Sequence, residues 1–237
     1  MRLLLAVLLS VLPFHALAGE AEVRQAFEAR FPGSKVSSVS KTPLPGIYEV
    51  VADGNQIAYV DQKAEYLVLG EVIDLKNRRN LTREKVDQLM TIRFDSLPLQ
   101  NAIKFVKGDG KRTLAVFSDV DCPFCKKLEP ELAKLDNLTI YMFPYPIASL
   151  HPDAGRKSKQ IWCSKDRAKA WEDLMLRGKQ PAKVADCKNP IDENVALGQK
   201  LGISGTPTLV FANGRRVPGY LQADKIEALL KEAAKTN

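Results

Sequence analysis

The sequence predicts a fold in two parts: a small α+β unit near the N-terminus, then a helical linker and an α/β domain in which strands and helices alternate around a helical insertion. Three observations carry this. Short runs rich in β-branched and aromatic residues crowd residues 36–75, separated by turn chemistry. From Lys111 onward the pattern becomes strand and helix in alternation, and residues 153–188 read as largely helical with no strand pattern among them.

The first eighteen residues hold one charge, Arg2, then the apolar run Leu3 to Leu12, Pro13, and the small-residue ending Ala16-Leu17-Ala18. This is the n-region, h-region and cleavage pattern of a secretory signal peptide, short for a membrane span, so residues 1–18 are set apart from the fold. An oxidising compartment is expected for the mature chain. The net charge is +7, with 35 basic and 28 acidic residues. Bases are interleaved with acids, as in Arg83-Glu84-Lys85 and Lys225-Ile226-Glu227, which fits a solvated surface and argues against nucleic-acid binding.

Residues 19–77 make the first unit. Val23, Ala26, Phe27 and Arg30 recur at helical spacing over Ala21 to Phe31, and Pro32-Gly33 stops that helix. Strands are expected over Val36 to Ser40, Ile47 to Val51, Gln56 to Val60 and Tyr66 to Leu75, with Asp53-Gly54-Asn55 turning one hairpin. So small a unit leaves much of its surface wet, and association with a second copy would remedy that. Residues 78–110 read as a linker, with Thr82 as N-cap of a helix through Val86, Leu89, Met90 and Phe94 before Pro98.

Residues 111–237 form the larger domain. Its expected order is strand Thr113 to Phe117, helix Pro123 to Leu135, strand Leu138 to Phe143, the helical insertion, helix Ile191 to Leu201, strand Thr208 to Phe211, a turn at Asn213-Gly214 into Arg216-Val217, and helix Ala223 to Ala234. That is the order of a thioredoxin fold with an all-helical insert. No internal repeat or low-complexity tract interrupts it.

The chemistry centres on Cys122-Pro123-Phe124-Cys125, which follows a strand and opens a helix with Pro123 suited to its first turn. The unpaired N–H groups and partial positive charge of a helix N-terminus stabilise a thiolate there, so Cys122 is the expected nucleophile, with a small addition from Lys126 and Lys127. Cys125, one turn in, is the more buried resolving thiol. A C-x-x-C is also half of a zinc site, but Cys163 and Cys187 are neither a second C-x-x-C nor accompanied by spaced histidines, which argues against a metal. His151, before Pro152, reads as a loop residue, and nothing around Cys122 resembles a cysteine protease.

Ser204-Gly205-Thr206-Pro207 lies just before the strand Thr208 to Phe211. A proline there can be a trans residue at a sheet edge. Placed after a C-x-x-C unit, it also matches the cis-proline loop of thioredoxin-fold proteins, in which Thr206 would turn its backbone toward Cys122 to pair with extended substrate. Val116 occupies the strand position where thioredoxin carries a buried acid, and Asp119 and Asp121 read as turn residues in an exposed loop.

These motifs, together with Ile161-Trp162-Cys163, Leu201-Gly202-Ile203 before the Ser-Gly-Thr-Pro loop, and Val217-Pro218-Gly219-Tyr220 after Asn213-Gly214, resemble the DsbC family of periplasmic disulfide isomerases over essentially the whole mature chain. The resemblance implies a V-shaped homodimer joined through residues 19–77. It implies attack by Cys122, resolution by Cys125, a substrate-pairing loop at Thr206 and Pro207, and a structural disulfide between Cys163 and Cys187. No cofactor is implied. The implied partners are misfolded or mis-oxidised exported proteins and a DsbD-type membrane electron donor. One departure is Pro123-Phe124, where DsbC proteins usually carry Gly-Tyr and DsbG proteins Pro-Tyr. That dipeptide tunes redox potential, so alternatives stay open: a DsbG-like reductase of oxidised single cysteines, or a dimeric chaperone with secondary redox activity. A DsbA-like oxidase has no need of the N-terminal unit.

Overall fold

The computed structural model describes residues 19–235, so the expected signal segment 1–18 lies outside the described residues. The chain divides into two compact units, with the boundary between Leu89 and Met90.

In the first unit, helix α1 (Glu20–Arg30) has acids in its first turn and Arg30 in its last, matching the helix dipole. It lays Val23 and Phe27 on an antiparallel sheet of order β1-β2-β3-β4, formed by β1 (Val36–Lys41), β2 (Ile47–Ala52), β3 (Gln56–Asp61) and β4 (Leu67–Val68). The turn from β2 to β3 takes positive φ at Asp53, Gly54 and Asn55, and the Asp53 carboxylate accepts the Lys35 N–H at 2.8 Å. Val39, Tyr48, Val50 and Val60 complete a small core beneath the helix.

The strand expected over Tyr66 to Leu75 is instead two short pieces. β4 pairs with β3, while β5 (Ile73–Asp74) forms a separate ribbon with β6 (Arg79–Asn80). Gly70, a residue type that weakens a strand interior, lies between the two pieces. Helix α2 (Leu81–Leu89) follows, and its N-terminal N–H at Arg83 is met by the Asn80 side chain at 2.9 Å, so Asn80 rather than Thr82 caps it. Thr82 turns inward, bonding the Tyr59 hydroxyl and accepting the Val72 N–H at 2.8 Å.

The span expected as linker, 78–110, is shared between the units. α2 ends at Leu89, before β-branched Thr91 and Ile92, and two 3-10 turns follow at Phe94–Ser96 and Leu99–Asn101. Ile92 and Leu97 are buried in the second unit, and β7 (Ile103–Lys107) is a strand of its main sheet.

That sheet has the order β11-β10-β8-β9-β7, with β8 (Arg112–Ser118) and β9 (Leu138–Pro144) parallel and the rest antiparallel. Helix α3 (Pro123–Ala133) connects β8 to β9. Then come α4 (Ala154–Cys163), α5 (Arg167–Arg177), α6 (Ile191–Lys200), β10 (Thr208–Phe211), β11 (Arg216–Pro218) and α7 (Ala223–Ala233). The helical insertion is thus α4 and α5, followed by an irregular stretch, 178–190.

Alternation along β8 explains why both sheet faces are covered. Leu114 and Val116 join Met142, Leu209, Leu128 and Trp171 on one side. Ala115 and Phe117 join Phe143, Tyr145 and Val210 on the other, where the Phe117 and Phe143 rings stack at 4.8 Å. Each such ring adds roughly 2–3 kcal/mol by leaving water, which anchors the C-terminal end of β8. No helix among the described residues is long and apolar enough to cross a membrane.

Candidate active site at the β8–α3 turn

Strand β8 delivers the chain to Ser118, and Asp119 to Asp121 turn it into α3. Cys122 occupies the N-cap position, with φ −68° and ψ 123°, and Pro123 takes the first helical turn, where its missing N–H costs nothing. The Cys122 thiol is therefore held over the N-terminus of an eleven-residue helix. Cys125 sits one turn in. Both are free thiols, 5 % and 1 % exposed, so Cys122 is the more accessible of a well-covered pair. Phe124 between them is 61 % exposed, leaving an aromatic ring in solvent beside the sulfur.

The distant Ser204–Pro207 loop meets this turn. The Thr206–Pro207 peptide is cis, and the Cys122 Sγ–H donates to the Thr206 carbonyl at 3.4 Å. The Pro207 carbonyl is tied by the Gly219 N–H at 2.7 Å and Thr208 Oγ1 reaches back to the Gly205 carbonyl at 2.8 Å, so the loop is braced from both sides. Cys122, Cys125, Thr206 and Pro207 therefore share one small region.

Burial pushes the Cys125 thiol up to about 12, against opposing hydrogen bonds from the Ser118 side chain, the Asp119 N–H and the Thr206 side chain. Its sulfur accepts the Asp119 N–H at 3.4 Å. Lys126 and Lys127, expected to support the Cys122 thiolate, are engaged elsewhere: Lys126 Nζ lies 3.9 Å from Asp121, and Lys127 Nζ stands 4.5 Å over the Tyr220 ring. Asp121 is held chiefly by Lys157 of α4, at 2.7 and 2.9 Å.

Asp119 is a correction. Read from sequence as an exposed turn residue, it is 0 % exposed, and its carboxylate accepts the N–H groups of Asp121 (2.8 Å) and Ile147 (2.7 Å) and the ring Nδ1 of His151 (3.0 Å). A second buried acid, Glu129 of α3, also escaped the sequence reading and accepts from the Trp171 indole at 2.8 Å. An aspartate just past an apolar strand and a glutamate on an amphipathic helix both look like surface residues by pattern. Only the tertiary fold covers them.

Cys163 and Cys187 stand apart in the chain from this cluster. They form a disulfide that fastens the irregular stretch 178–190 to the end of α4. Among the described residues no group of histidine, cysteine and acidic side chains could hold a metal ion.

Comparison with known proteins agrees with this geometry. The model of a thioredoxin-like domain matches residues 99–234, and that of a disulfide bond isomerase protein N-terminal domain matches residues 14–83. The chain is 44 % identical over 208 residues to a protein of Bordetella pertussis named as a probable thiol:disulfide interchange protein DsbC, covering 88 % of this chain and 73 % of that one. It is 30 % identical over 234 residues to the thiol:disulfide interchange protein DsbC of Escherichia coli K12, covering 98 % and 96 %. A crystal structure of a disulfide interchange protein from Neisseria gonorrhoeae superposes with a TM-score of 0.56 at 50 % identity, covering 58 % of this chain and 98 % of that one. With a reactive-type thiol pair at a helix N-terminus, a thioredoxin-like domain and these relatives, the chain belongs to the DsbC family of thiol:disulfide interchange proteins and is a thiol–disulfide oxidoreductase.

Proposed function

We propose that this oxidoreductase is a periplasmic, homodimeric protein disulfide isomerase with reductase activity, in which Cys122 attacks non-native disulfides of exported proteins. The carrying observation is the 3.4 Å approach of Cys122 Sγ to the Thr206 carbonyl at the N-terminus of α3, with Cys125 shielded behind it. A thiolate at Cys122 displaces one sulfur of a substrate disulfide, giving a mixed disulfide and a substrate thiolate. Thr206 and Pro207 are the segment on which an extended substrate strand would pair.

Two exits follow. A substrate thiolate can attack the substrate sulfur of the mixed disulfide, forming a new substrate disulfide and restoring Cys122 with no net change in electrons. Alternatively Cys125, once deprotonated, attacks Cys122 Sγ, closing the Cys122–Cys125 bond and releasing reduced substrate. Reopening that bond takes two electrons, which a DsbD-type membrane donor would supply. Burial raises the Cys125 thiol above its ordinary range, so it gives up its proton reluctantly, which favours the isomerising exit over the resolving one. The disulfide Cys163–Cys187 has a structural role in this reading, and residues 19–77 supply the dimer contact.

The test is insulin reduction and reshuffling of a scrambled multi-disulfide substrate. Cys122→Ser should abolish both, because a hydroxyl is no substitute for a thiolate. Cys125→Ser should accumulate mixed disulfide and lose most insulin reduction while retaining measurable reshuffling. Substrate trapped by Cys122→Ser instead would reverse the roles.

A further inference from the structure

Residue 119 is bonded to both cysteines through its backbone and to the following loop through its side chain. Its N–H donates to Cys125 Sγ at 3.4 Å and its carbonyl accepts the Cys122 N–H at 3.2 Å. The carboxylate, fully enclosed, gathers the Asp121 and Ile147 N–H groups on its two oxygens and takes His151 at 3.0 Å beside Ile147. A carboxylate oxygen accepts, so the proton on the His151 ring is assigned to Nδ1. Three donors on one buried side chain fix the peptide planes on either side of residue 119. The direction of its N–H toward Cys125 is fixed with them.

We propose that Asp119, secured by His151, is a positioning residue that sets how readily Cys125 resolves the mixed disulfide, and so divides the reaction between isomerisation and reduction. This rests on Cys125 being the resolving thiol. In the resolving step the Cys125 proton departs to solvent, its sulfur bonds to Cys122 Sγ, and the bond from Cys122 to the substrate sulfur breaks to release a substrate thiolate. The Asp119 N–H stabilises negative charge arriving on Cys125 and holds the sulfur facing Cys122. The first attack, by Cys122 on substrate, makes no use of that N–H. His151 is part of the device because it closes the carboxylate from the solvent side, its own side chain being 21 % exposed. Without it water reaches Asp119, and the turn gains freedom where Cys125 needs none.

The experiment follows reduced full-length protein reacting with a peptide bearing one internal disulfide, quenched by acid and alkylation, with free, mixed-disulfide and oxidised protein separated by mass. His151→Ala and Asp119→Ala are expected to form the mixed disulfide within threefold of the wild-type rate but to resolve it at least tenfold more slowly. Reshuffling relative to net reduction should rise accordingly. His151→Asn places an amide N–H near the former Nδ1 and should recover resolution to within threefold of wild type, which a loss of packing alone would not predict. Should Asp119→Ala fail to fold, the partly exposed His151 position still decides. Wild-type resolution in His151→Ala, or equal slowing of both steps, would overturn the inference. A Cys125→Ser protein that accumulates no mixed disulfide would instead show that the assignment of Cys125 is at fault.

Discussion

The indole Nε1–H of Trp171 in α5 donates to a carboxylate oxygen of Glu129 in α3 at 2.8 Å, within the core of the thioredoxin-like domain. This joins the helix that carries Cys122 and Cys125 to the helical insertion. Its neighbour Lys107 reaches the carbonyls of Leu132, Ala133 and Leu135 at 2.8, 2.7 and 3.1 Å, supplying donors where α3 runs out of them.

Burial raises Glu129 from 4.5 to about 7, with Glu172 adding to the rise and the Trp171 N–H and Lys107 opposing it. An acid with a raised folded-state value binds its proton more tightly when folded. Its contribution is fully present below about 4.5 and is lost as pH rises through about 7. That interval corresponds to roughly 3 kcal/mol. Glu129→Gln keeps an amide oxygen for Trp171 and removes the ionisation. Denaturant unfolding at pH 5 and pH 8 should therefore show the variant gaining stability relative to wild type at the higher pH. Parallel stability curves for the two proteins would refute this.

Residues 66–75 of the first unit expose apolar side chains out of keeping with a small sheet, Leu69 at 74 % and Leu75 at 83 % among them. β4 is the terminal strand of its sheet. Such an edge, short and apolar, invites pairing with another chain. In the proposed homodimer Leu69→Asp places a charge in the contact, and sedimentation at micromolar concentration is expected to show dimer for wild type and monomer for the variant. Insulin reduction should persist while reshuffling declines. A variant as dimeric as wild type would remove this edge from the interface.

What the sequence made legible was local or strongly patterned. The apolar run of β8 followed by Cys122-Pro123 announces a strand and a helix start within a dozen residues, and Thr208 to Phe211 after Pro207 is equally plain. β7 was missed because Ile103 to Lys107 alternates modestly between lysines, and its partner β9 lies across the whole β8–α3 unit. Asn80 was passed over as a cap because Thr82 is an equally good residue type two positions on, and only the Tyr59 hydroxyl waiting in the fold draws Thr82 inward. Asp119 and Glu129 illustrate a general limit. Their types say surface, and their partners come from α5 and the 147–151 loop, elements distant in sequence.

The Cys163–Cys187 bond spans 24 positions and closes over α5 and the irregular stretch after it. Chain-entropy reasoning for a loop of that size gives roughly 3 kcal/mol of stabilisation, provided the unfolded chain is otherwise free. Replacing both cysteines by alanine is expected to lower stability by that order with little change in mixed-disulfide formation at Cys122. Proteolysis should then open first within 178–190, which has neither helix nor strand to hold it. Unchanged unfolding in the double variant would show that α5 and its neighbours hold the stretch unaided.

Gly198 of α6 marks a close approach that no larger residue fits. A Cβ there would lie 2.3 Å from Tyr145 Cε2 and 2.7 Å from Cζ. The ring has little room to retreat: its hydroxyl donates to the Ile203 carbonyl at 2.9 Å, and Phe117 meets it edge-on at 6.0 Å. Its backbone N–H donates to the Ser118 carbonyl at 2.8 Å, so a displaced Tyr145 pulls on the strand end from which the Cys122 turn departs. Gly198→Ala should cost about 1–3 kcal/mol through overpacking, with the mixed-disulfide chemistry disturbed as well. In a Tyr145→Leu background the offending ring atoms are gone, and the same alanine should cost far less. Additive losses in that double-mutant cycle would show that the glycine is needed for something other than the ring.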